Sequence, residues 1–241
     1  MNVTLTIAPA FAERLRAAGL DRFETIMALP APMADVTRAV PGRFTTRIEA
    51  AGGVFYVKRF HGCRTAAQAR NEWARLHELP VFGIACPAPV ALGERSCCGM
   101  VRESLLVSEE IPRAMQADWW IRKTPSRRRE LLAPIAEVAR KFHEAGYRHK
   151  DFYLCHFFVQ ESPAMRIFLI DLQRCVRPSC CAQRWLVKDL AQLHYSMTQQ
   201  AGYTTQDWQE FMRLYGATDP SLARAVEAKS ARLARHVPKY G

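Results

Sequence analysis

Two aspartates in the C-terminal half of the chain have a spacing that suits phosphoryl transfer. Asp151 lies in the segment from His149 to His156 (HKDFYLCH), and Asp171 follows 20 residues later in an apolar run. Transfer to a hydroxyl needs one carboxylate that accepts the proton of the nucleophile and another that holds Mg²⁺ on the phosphates. We therefore predict these two roles for the two aspartates. The pattern is weak by itself, because histidine and aspartate also pair in ordinary turns.

Lys58 and Glu72 form a second candidate pair in the N-terminal half. Lys58 lies near the end of an apolar β-rich run, and Glu72 lies 14 residues later in a segment with helical periodicity. Glu72 shares a face with Ala69 and Leu76, so a carboxylate on this apolar side needs a partner. We predict a salt bridge that holds the lysine for the phosphates of a nucleotide. The competing interpretation is a surface glutamate at a helix boundary.

The N-terminal half is predicted to contain short strands and one helix. Two of the strands are joined by Ala50-Ala51-Gly52-Gly53, which is a good hairpin signal. The helix is predicted to begin with a capping box of Thr65 and Gln68 and to end near Leu79. The predicted strands are Phe44 to Glu49, Val54 to Phe60, Val90 to Leu92 and Ser104 to Ile111.

The C-terminal half is predicted to be mainly helical. Apolar residues recur at helical spacing from Ser126 to Phe142, and Gly146 is a plausible C-terminal cap. Pro134 either kinks this helix or occupies its first turn. The remaining predicted elements are the loop Tyr147 to Leu154, strands at Phe157 to Val159 and Arg166 to Ile170, and a helical region from Gln183 to Tyr240. This order predicts an α+β fold with a β-rich half and a helical half.

The composition of the chain limits where the protein is expected to be located and what it is expected to bind. The chain has 241 residues and a formal net charge of +11, which favours an acidic partner such as nucleic acid, anionic lipid or a phosphorylated substrate. No window approaches the length of a membrane span and no signal peptide is evident, so a cytoplasmic protein is expected. Eight cysteines occur in no C-x-x-C pair, which favours free thiols over a structural metal site.

The densest basic stretch runs from Arg122 to Arg129. It is either a solvated face or a contact for an anionic surface. The neighbouring Trp119 and Trp120 are either further membrane contacts or part of the core, which is the commoner place for tryptophan.

Together these segments resemble the lipopolysaccharide kinase family, the Kdo and core-heptose kinases of Gram-negative bacteria. The resemblance spans roughly Phe44 to Tyr215 and is most specific in the DFYLCH and IDLQR segments. It implies a protein-kinase-like fold in which residues 1–241 form a single bilobal domain. The small β-rich N-lobe would cover about 1–110, the hinge Ser108 to Ile111, and the mainly helical C-lobe about 111–241.

The resemblance also implies roles for individual residues and the cofactors ATP and Mg²⁺. Asp189 would brace the loop that carries the catalytic base. His156 stands where protein kinases have a second metal-binding asparagine, but imidazole is a poor ligand for Mg²⁺, so His156 binds the metal, touches a phosphate or braces Asp151. Only Pro41-Gly42-Arg43 stands where protein kinases have a glycine-rich loop. The implied roles are Asp151 as base, Asp171 with His156 at the metal, and Lys58, Glu72, Gly42 and the backbone of Glu109 and Ile111 at the nucleotide.

The function that we predict is transfer of the ATP γ-phosphate to a sugar hydroxyl of the lipopolysaccharide inner core, with heptose as the first choice. Alternatives are a kinase for Kdo or another envelope sugar, a protein kinase, or a kinase-like regulatory or binding protein. The acceptor, a lipid A precursor with its core sugars, would bring the enzyme to the anionic cytoplasmic face of the inner membrane as a peripheral protein. No nucleic-acid motif is present, so nucleic acid is not expected as a partner. The identity of the sugar and the oligomeric state are left open.

Overall fold

The computed structural model describes residues 1–29, 36–40 and 42–235. The chain divides into two compact units. The predicted pair of lysine and glutamate belongs to the first unit, and both predicted aspartates belong to the second. The N-terminal unit consists of Met1–Glu78 and Pro87–Ile111, and the C-terminal unit of Leu79–Cys86 and the chain from Pro112 onward.

In the described part of the N-terminal unit, six antiparallel strands form one sheet. They are β1 (Asn2–Ile7), β2 (Val36–Val40), β3 (Arg43–Ala50), β4 (Gly53–His61), β5 (Pro89–Cys97) and β6 (Met100–Glu109). Their order across the sheet is β1-β5-β6-β4-β3-β2. The helices of this unit are α1 (Ala12–Ala17), α2 (Phe23–Met27) and α3 (Cys63–Glu78).

Two tight hairpins set the register of this sheet. Ala51 and Gly52 turn β3 into β4 with positive φ angles of 52° and 69°, which match the twist of the flanking strands. Cys98 and Gly99 do the same between β5 and β6, with φ angles of 51° and 75°. The first hairpin confirms the predicted strands to within a residue or two. The second extends the predicted run at Val90 well beyond Leu92, because the polar residues that follow it remain paired.

The start of α3 differs from the prediction. The helix begins at Cys63, and the Thr65 hydroxyl donates hydrogen bonds to the carbonyl oxygens of His61 (2.6 Å) and Gly62 (3.1 Å). A capping box needs that hydroxyl to accept from an amide instead. The predicted capping box of Thr65 and Gln68 is therefore wrong, whereas the predicted end of the helix near Leu79 is confirmed.

The N-terminal segment, for which no element was predicted, supplies part of the core of the first unit. β1 pairs with β5, and the helices that follow bury Leu15 and Phe23 against the sheet residues Phe55 and Val57. Gly93 on β5 leaves room for this packing, because a Cβ there would lie 2.6 Å from the Phe23 ring.

Among its described residues, the C-terminal unit contains a small antiparallel sheet and five α-helices, with short 3₁₀ helices between them. The sheet order is β7-β8-β9, with β8 in the middle, and it confirms both strands that were predicted in this half. The bounds are β7 (Ala114–Gln116), α4 (Ala117–Lys123), α5 (Leu132–Glu144), β8 (Phe157–Gln160), β9 (Arg166–Leu169), α6 (Ala182–Thr198), α7 (Thr205–Tyr215) and α8 (Pro220–Ala234).

The helix predicted from Ser126 begins as a 3₁₀ helix, Pro125–Leu131, and becomes α5 at Leu132. Pro134 is the third residue of α5 and thus lies in its first turn, where a helix has no internal partner for an amide. Of the two alternatives for this proline, the first turn is correct.

A C-terminal cap ends α5 and sets the direction in which the chain enters the following loop. The Gly146 amide donates to the carbonyl of His143 and the Tyr147 amide to that of Phe142, both at 3.1 Å. This is a Schellman motif with glycine in the left-handed region, so the predicted cap is confirmed. The rings of Phe142 and Tyr147 stack at 5.7 Å and reinforce it.

Three helices follow where one helical region from Gln183 to Tyr240 was predicted. A capping box opens α7: the Thr204 hydroxyl accepts from the Asp207 amide at 3.2 Å, and the Asp207 carboxylate accepts from the Thr204 amide at 3.0 Å. Residues 236–241 lie outside the described part of the chain. Among the described helices, none combines the length and the apolar character that crossing a membrane requires.

Candidate active site

The loop that carries Asp151 is held from behind by Asp189 of α6. The Asp189 carboxylate is fully buried and accepts hydrogen bonds from the amides of His149 (2.7 Å) and Lys150 (2.9 Å). A buried carboxylate without such donors would be costly, so the loop backbone and this side chain stabilise each other. The predicted contact between Asp189 and the loop is confirmed.

Two further side chains of α6 bind the same loop. Gln192 accepts from the Phe152 amide and Ser196 accepts from the Leu154 amide, each at 3.0 Å. With Asp189 these residues lie three and seven positions apart, so one helix face holds successive amides of the loop. Neither Gln192 nor Ser196 was predicted. The signal that would have found them is polar residues recurring at helical spacing on a largely buried face.

The backbone is strained on both sides of the site. Lys150 and Asp171 have φ angles of 70° and 58°, in the left-handed region that residues with a Cβ rarely adopt. Such conformations cost of order 1–3 kcal/mol and persist where the surroundings enforce them. Here the Lys150 carbonyl accepts hydrogen bonds from Lys188 Nζ (2.8 Å) and Gln192 Nε2 (3.1 Å). These bonds fix the turn from which the Asp151 side chain projects.

The carboxylate of Asp151 contacts an arginine. Arg174 Nη1 lies 3.0 Å from one carboxylate oxygen of Asp151 and 2.9 Å from the other. The arginine belongs to a short 3₁₀ helix, Leu172–Arg174, that directly follows Asp171. Its side chain is 50% exposed, so the contact is screened by water and can open at little cost. The pairing of Arg174 with Asp151 was not predicted from the sequence.

His156 joins the two aspartates. Its Nδ1 lies 2.6 Å from the main-chain carbonyl oxygen of Asp151, so Nδ1 carries the proton and donates. Its Nε2 lies 3.6 Å from Asp171 Oδ2, which is too long for a hydrogen bond but places the two groups side by side. Of the alternatives for His156, bracing of Asp151 is what the geometry shows, through the backbone rather than the carboxylate.

His149 packs behind this arrangement. Burial lowers the pKa of His149 to about 4, so the ring is neutral near pH 7. Its Nε2 lies 2.9 Å from the Ile170 carbonyl oxygen, and its ring stacks on His156 with centroids 5.5 Å apart. His149 therefore links the loop to the residue that precedes Asp171.

Lys58 and Glu72 meet in the N-terminal unit. Lys58 Nζ lies 2.7 Å and 2.9 Å from the two carboxylate oxygens of Glu72, and the glutamate is 4% exposed. The lysine comes from β4 and the glutamate from α3, so the salt bridge ties the helix to the sheet. The predicted pairing is confirmed.

Two other residues that were predicted to bind the nucleotide pair with β4, the strand that carries Lys58. The Gly42 carbonyl accepts from the His61 amide at one end of β4, whereas Glu109 pairs with Phe55 at the other end, with Lys58 between them. Gly42 has a φ of +76°, and a Cβ there would lie 2.9 Å from the His61 carbonyl oxygen. The close approach of the end of β4 thus requires glycine at this position. Pro41, which was named with it, lies outside the described residues.

The backbone groups named for adenine differ in their availability. The Glu109 amide donates to the Ala88 carbonyl, and the next amide, of Glu110, donates to the Val54 carbonyl. Within the described part of the chain, the Ile111 amide makes no such hydrogen bond. Ile111 is therefore the better placed of the two predicted residues to donate to a ligand.

The basic stretch from Arg122 to Arg129 is largely paired with carboxylates. Its arginines contact Asp118, Glu130, Glu161 and Asp207 at distances of 2.6 to 3.4 Å. The two tryptophans beside it divide between the alternatives, because Trp120 is 1% exposed and Trp119 is 52% exposed.

Comparison with known proteins decides the family. The model of the lipopolysaccharide kinase (Kdo/WaaP) family matches residues 59–215, which is more than half of the chain. The chain belongs to this family. The resemblance read from the sequence is thereby confirmed, and the chain is a kinase by membership.

Named relatives extend over nearly all of the chain. The lipopolysaccharide core heptose(I) kinase WaaP of Pseudomonas aeruginosa is 29% identical and covers 92% of this chain and 94% of its own. WaaP of Escherichia coli is 28% identical and covers 89% and 92%. A solved structure of WaaP in complex with acyl carrier protein superposes with a TM-score of 0.74 at 29% identity, covering 95% of this chain and 99% of that one. WbdD shares the fold alone, with a TM-score of 0.52 at 15% identity and coverage of 80% and 50%. The predicted α+β, protein-kinase-like fold class is confirmed.

The donor groups available to a metal ion in this kinase are few. Within the described residues, no cluster of three or more His, Cys, Asp or Glu side chains is placed to hold a metal. Sites that hold Mg²⁺ on nucleotide phosphates need only one or two protein carboxylates, because phosphates and waters complete the coordination. Asp171 fits that requirement, and His156 Nε2 beside it offers a second, softer donor.

Proposed function

We propose that the chain is an ATP-dependent kinase that phosphorylates a heptose hydroxyl of the lipopolysaccharide inner core. The observation that carries the proposal is the loop held on α6, which presents Asp151 on a fixed backbone. His156 braces this backbone and lies beside Asp171. The WaaP relatives, named for core heptose(I), supply the acceptor.

The nucleotide end of the proposal rests on the N-terminal unit. The salt bridge with Glu72 holds the Lys58 ammonium, which would bind the phosphates of ATP. Gly42 would let the backbone approach the phosphates, and the backbone of Ile111, with that of Glu109, would meet the adenine edge. The Asp171 carboxylate, with His156 beside it, would hold Mg²⁺. Bound there, the ion would neutralise charge on the transferring phosphates.

Asp151 is the proposed general base. Its carboxylate would orient the acceptor hydroxyl and take its proton as the oxygen attacks the γ-phosphorus, while ADP leaves with the electron pair of the broken bond. Because Arg174 holds both carboxylate oxygens in this structure, the acceptor hydroxyl must share or displace that contact. Arg174 would then orient the base in the absence of acceptor.

The direct test is mass spectrometry of purified inner-core oligosaccharide before and after incubation with the protein and Mg-ATP. One added phosphate on a heptose is the expected result. Control reactions without the protein, or with boiled protein, should give no product. A phosphate on Kdo or on another sugar would show that the acceptor is not heptose but would still support a sugar kinase. Absence of any phosphorylated sugar, with ATP and several core structures tried, would favour a regulatory protein or a protein kinase.

His156 has its own test, because its two ring nitrogens have different roles. Nδ1 braces the loop, so His156→Asn is expected to slow transfer while leaving the dependence on Mg²⁺ nearly unchanged. Titration of Mg²⁺ and Mn²⁺ against both proteins measures this. A shift of about tenfold or more in apparent Mg²⁺ affinity would show instead that Nε2 binds the metal, since asparagine offers Mg²⁺ a harder oxygen ligand.

An acyl carrier protein is part of the proposed set of partners. The WaaP structure that covers 95% of this chain contains one, and the net charge of +11 would favour an acidic protein partner. Calorimetric titration of purified acyl carrier protein into this chain at two salt concentrations tests it. Heat release that weakens with salt is expected, and no binding at either concentration would remove the partner.

A peripheral position on the cytoplasmic face of the inner membrane completes the proposal. The exposed Trp119, with the Arg122 guanidinium 5.3 Å from its ring centre, supports a contact with anionic lipid. Sedimentation with phosphatidylglycerol vesicles should carry the protein down, and Trp119→Ala should weaken this. Equal sedimentation with phosphatidylcholine vesicles would argue against an anionic surface.

A further inference from the structure

Two lysines beside the candidate base share one aromatic ring. The ammonium group of Lys150 lies 4.8 Å from the ring centre of Trp185, and that of Lys188 lies 5.5 Å from it. Lys150 directly precedes Asp151, and Trp185 and Lys188 belong to the first turns of α6. Lys188 also donates to the Lys150 carbonyl at 2.8 Å, so the three side chains form one half-buried cluster.

This cluster lacks the salt-bridging carboxylates that several other cations of the unit have. Lys141 pairs with Glu137 at 2.6 Å, and the arginines from 122 to 129 have the acidic partners given above. Within the described residues, neither Lys150 nor Lys188 forms a salt bridge. The nearby carboxylate of Asp151 is paired with Arg174 instead.

The arrangement is unfavourable as a purely structural device. Burial lowers the pKa of Lys188, and the neighbouring charges of Arg174 and Lys150 lower it further, although the two nearby aspartates oppose this. A cation over an indole gains about 0.5–2 kcal/mol, which offsets only part of the cost of bringing two like charges together. Lys150 adds backbone strain at its positive φ. Two ammonium groups that share one ring without a salt bridge, beside a strained turn, are arranged as a site for an anionic ligand.

We propose that Lys150, Lys188 and Trp185 form an acceptor subsite that binds a phosphate or carboxylate group of the sugar substrate. This inference rests on the proposed function and adds the group by which the acceptor is recognised. Lys150 adjoins the residue that receives the acceptor's proton, so an anion bound to it lies close to the reacting hydroxyl. Trp185 is a positioning residue that gathers the two ammonium groups.

The kinetic test uses two acceptors: intact inner-core oligosaccharide, and the same material after dephosphorylation and reduction of its carboxyl groups. With the intact acceptor, Lys150→Gln and Lys188→Gln should each raise the acceptor KM about tenfold or more, the size expected for a lost charge-assisted hydrogen bond. The KM for ATP should stay within about twofold. With the stripped acceptor, wild type should already be weak and the variants no weaker.

Matched variants separate the subsite from general effects of charge and folding. Lys141→Gln removes a lysine that is already paired and should behave as wild type. Trp185→Phe keeps an aromatic face and should retain most of the affinity, whereas Trp185→Ala should lose it. Lys150→Gln is the cleaner of the two lysine variants, because the Lys188 side chain also bonds the loop backbone. A rise in KM that is equal on both acceptors, or a rise for ATP instead, would overturn the subsite.

A binding arm distinguishes failure of the subsite from failure of the proposed function. Calorimetry of the intact and stripped oligosaccharides without nucleotide measures acceptor binding independently of turnover. If wild type transfers phosphate but Lys150→Gln binds the intact acceptor equally well, the subsite is wrong and the kinase stands. If no sugar is phosphorylated, the kinase proposal fails. Preferential binding of the intact oligosaccharide that Lys150→Gln abolishes would then still support the subsite, and equal binding would overturn it.

Discussion

The two units fix their candidate catalytic residues by different means. In the N-terminal unit a single salt bridge between Lys58 and Glu72 joins a strand to a helix through their side chains. In the C-terminal unit the side chains of α6 accept hydrogen bonds from backbone amides of a loop. The carboxylate of Asp151, the proposed base, is only partly buried and contacts Arg174.

The salt bridge thus positions one ammonium group, whereas the contacts from α6 position the backbone of a whole loop. Loss of either partner in the salt bridge leaves the other without its counter-charge in a place that is largely removed from water. The effect should be confined to the group that the lysine binds. Loss of an α6 contact instead frees several residues of the loop at once, so activity and stability should fall together.

The largest effect is expected for Asp151→Asn. The amide fills the same space but accepts no proton, so phosphate transfer should fall about 10²–10⁴-fold, the range typical of a general base. Because the carboxylate contributes only an exposed ion pair to stability, the midpoint of urea unfolding should hardly change. Activity within a few-fold of wild type in a properly folded variant would remove Asp151 from the mechanism.

Asp189→Asn should lower stability and activity together. The amide retains one acceptor oxygen but turns an NH₂ group towards a loop amide, which costs about 1–3 kcal/mol for a buried group left unsatisfied. Urea unfolding and steady-state kinetics measure the two effects on one preparation.

Asp207→Asn is the matched control for that experiment. Asp207 is also a buried carboxylate that accepts from an amide, but at the start of α7 and paired with Arg129. It should lose stability and keep kcat. If both variants lose kcat equally at a temperature where they are folded, the special role of the Asp189 contact is wrong.

Lys58→Met and Glu72→Gln should each raise the KM for ATP, and the double variant should be far from additive, because the second change removes a contact that the first has already broken. A double-mutant cycle on KM for ATP checks this. The control is Arg70→Gln, which changes the same helix as Glu72 but breaks an exposed salt bridge to Glu94 of β5. It should leave the KM for ATP unchanged. Additive effects would show that the two residues act separately.

The smallest effect concerns pH. Burial lowers the pKa of His149 to about 4 in the folded protein, against about 6.5 in an unfolded chain. The unfolded chain therefore binds more protons between these values, so His149 contributes stability that is complete above pH 6.5 and declines as the pH falls towards 4. The loss at pH 5 should be on the order of 2 kcal/mol.

Urea unfolding at pH 7 and pH 5 measures this decline, which His149→Gln should reduce. Exchange of the exposed His77 for glutamine is the control. An identical pH dependence in wild type and His149→Gln would mean that the ring is not held neutral by the fold.

What the sequence could predict is the chemistry that depends on side-chain type and spacing. Asp151 and Asp171 were found from their motif and spacing, and Lys58 and Glu72 from a carboxylate on an apolar helix face that needs a partner. The strands and the end of α5 followed from alternation, turn residues and Gly146. The role of Asp189 came from the resemblance to a family and not from spacing.

The features that were missed depend on contacts between distant segments. β1 lies at the edge of the sheet with mostly exposed side chains, so its pairing with β5 leaves little trace in its own residues. Gln192 and Ser196 act on backbone amides, which carry no sequence. The capping box at Thr65 failed because the hydroxyl had carbonyl acceptors available one turn earlier.

We propose that Lys58 binds the nucleotide and that Asp151 acts in the chemistry on the acceptor. The most direct measurement is equilibrium binding of a non-hydrolysable ATP analogue and of inner-core oligosaccharide to Lys58→Met and Asp151→Asn. We expect Lys58→Met to bind the analogue about tenfold or more weakly and the oligosaccharide normally, whereas Asp151→Asn should bind both and transfer no phosphate. Normal binding of the analogue by Lys58→Met, or its loss in Asp151→Asn, would contradict this division of roles.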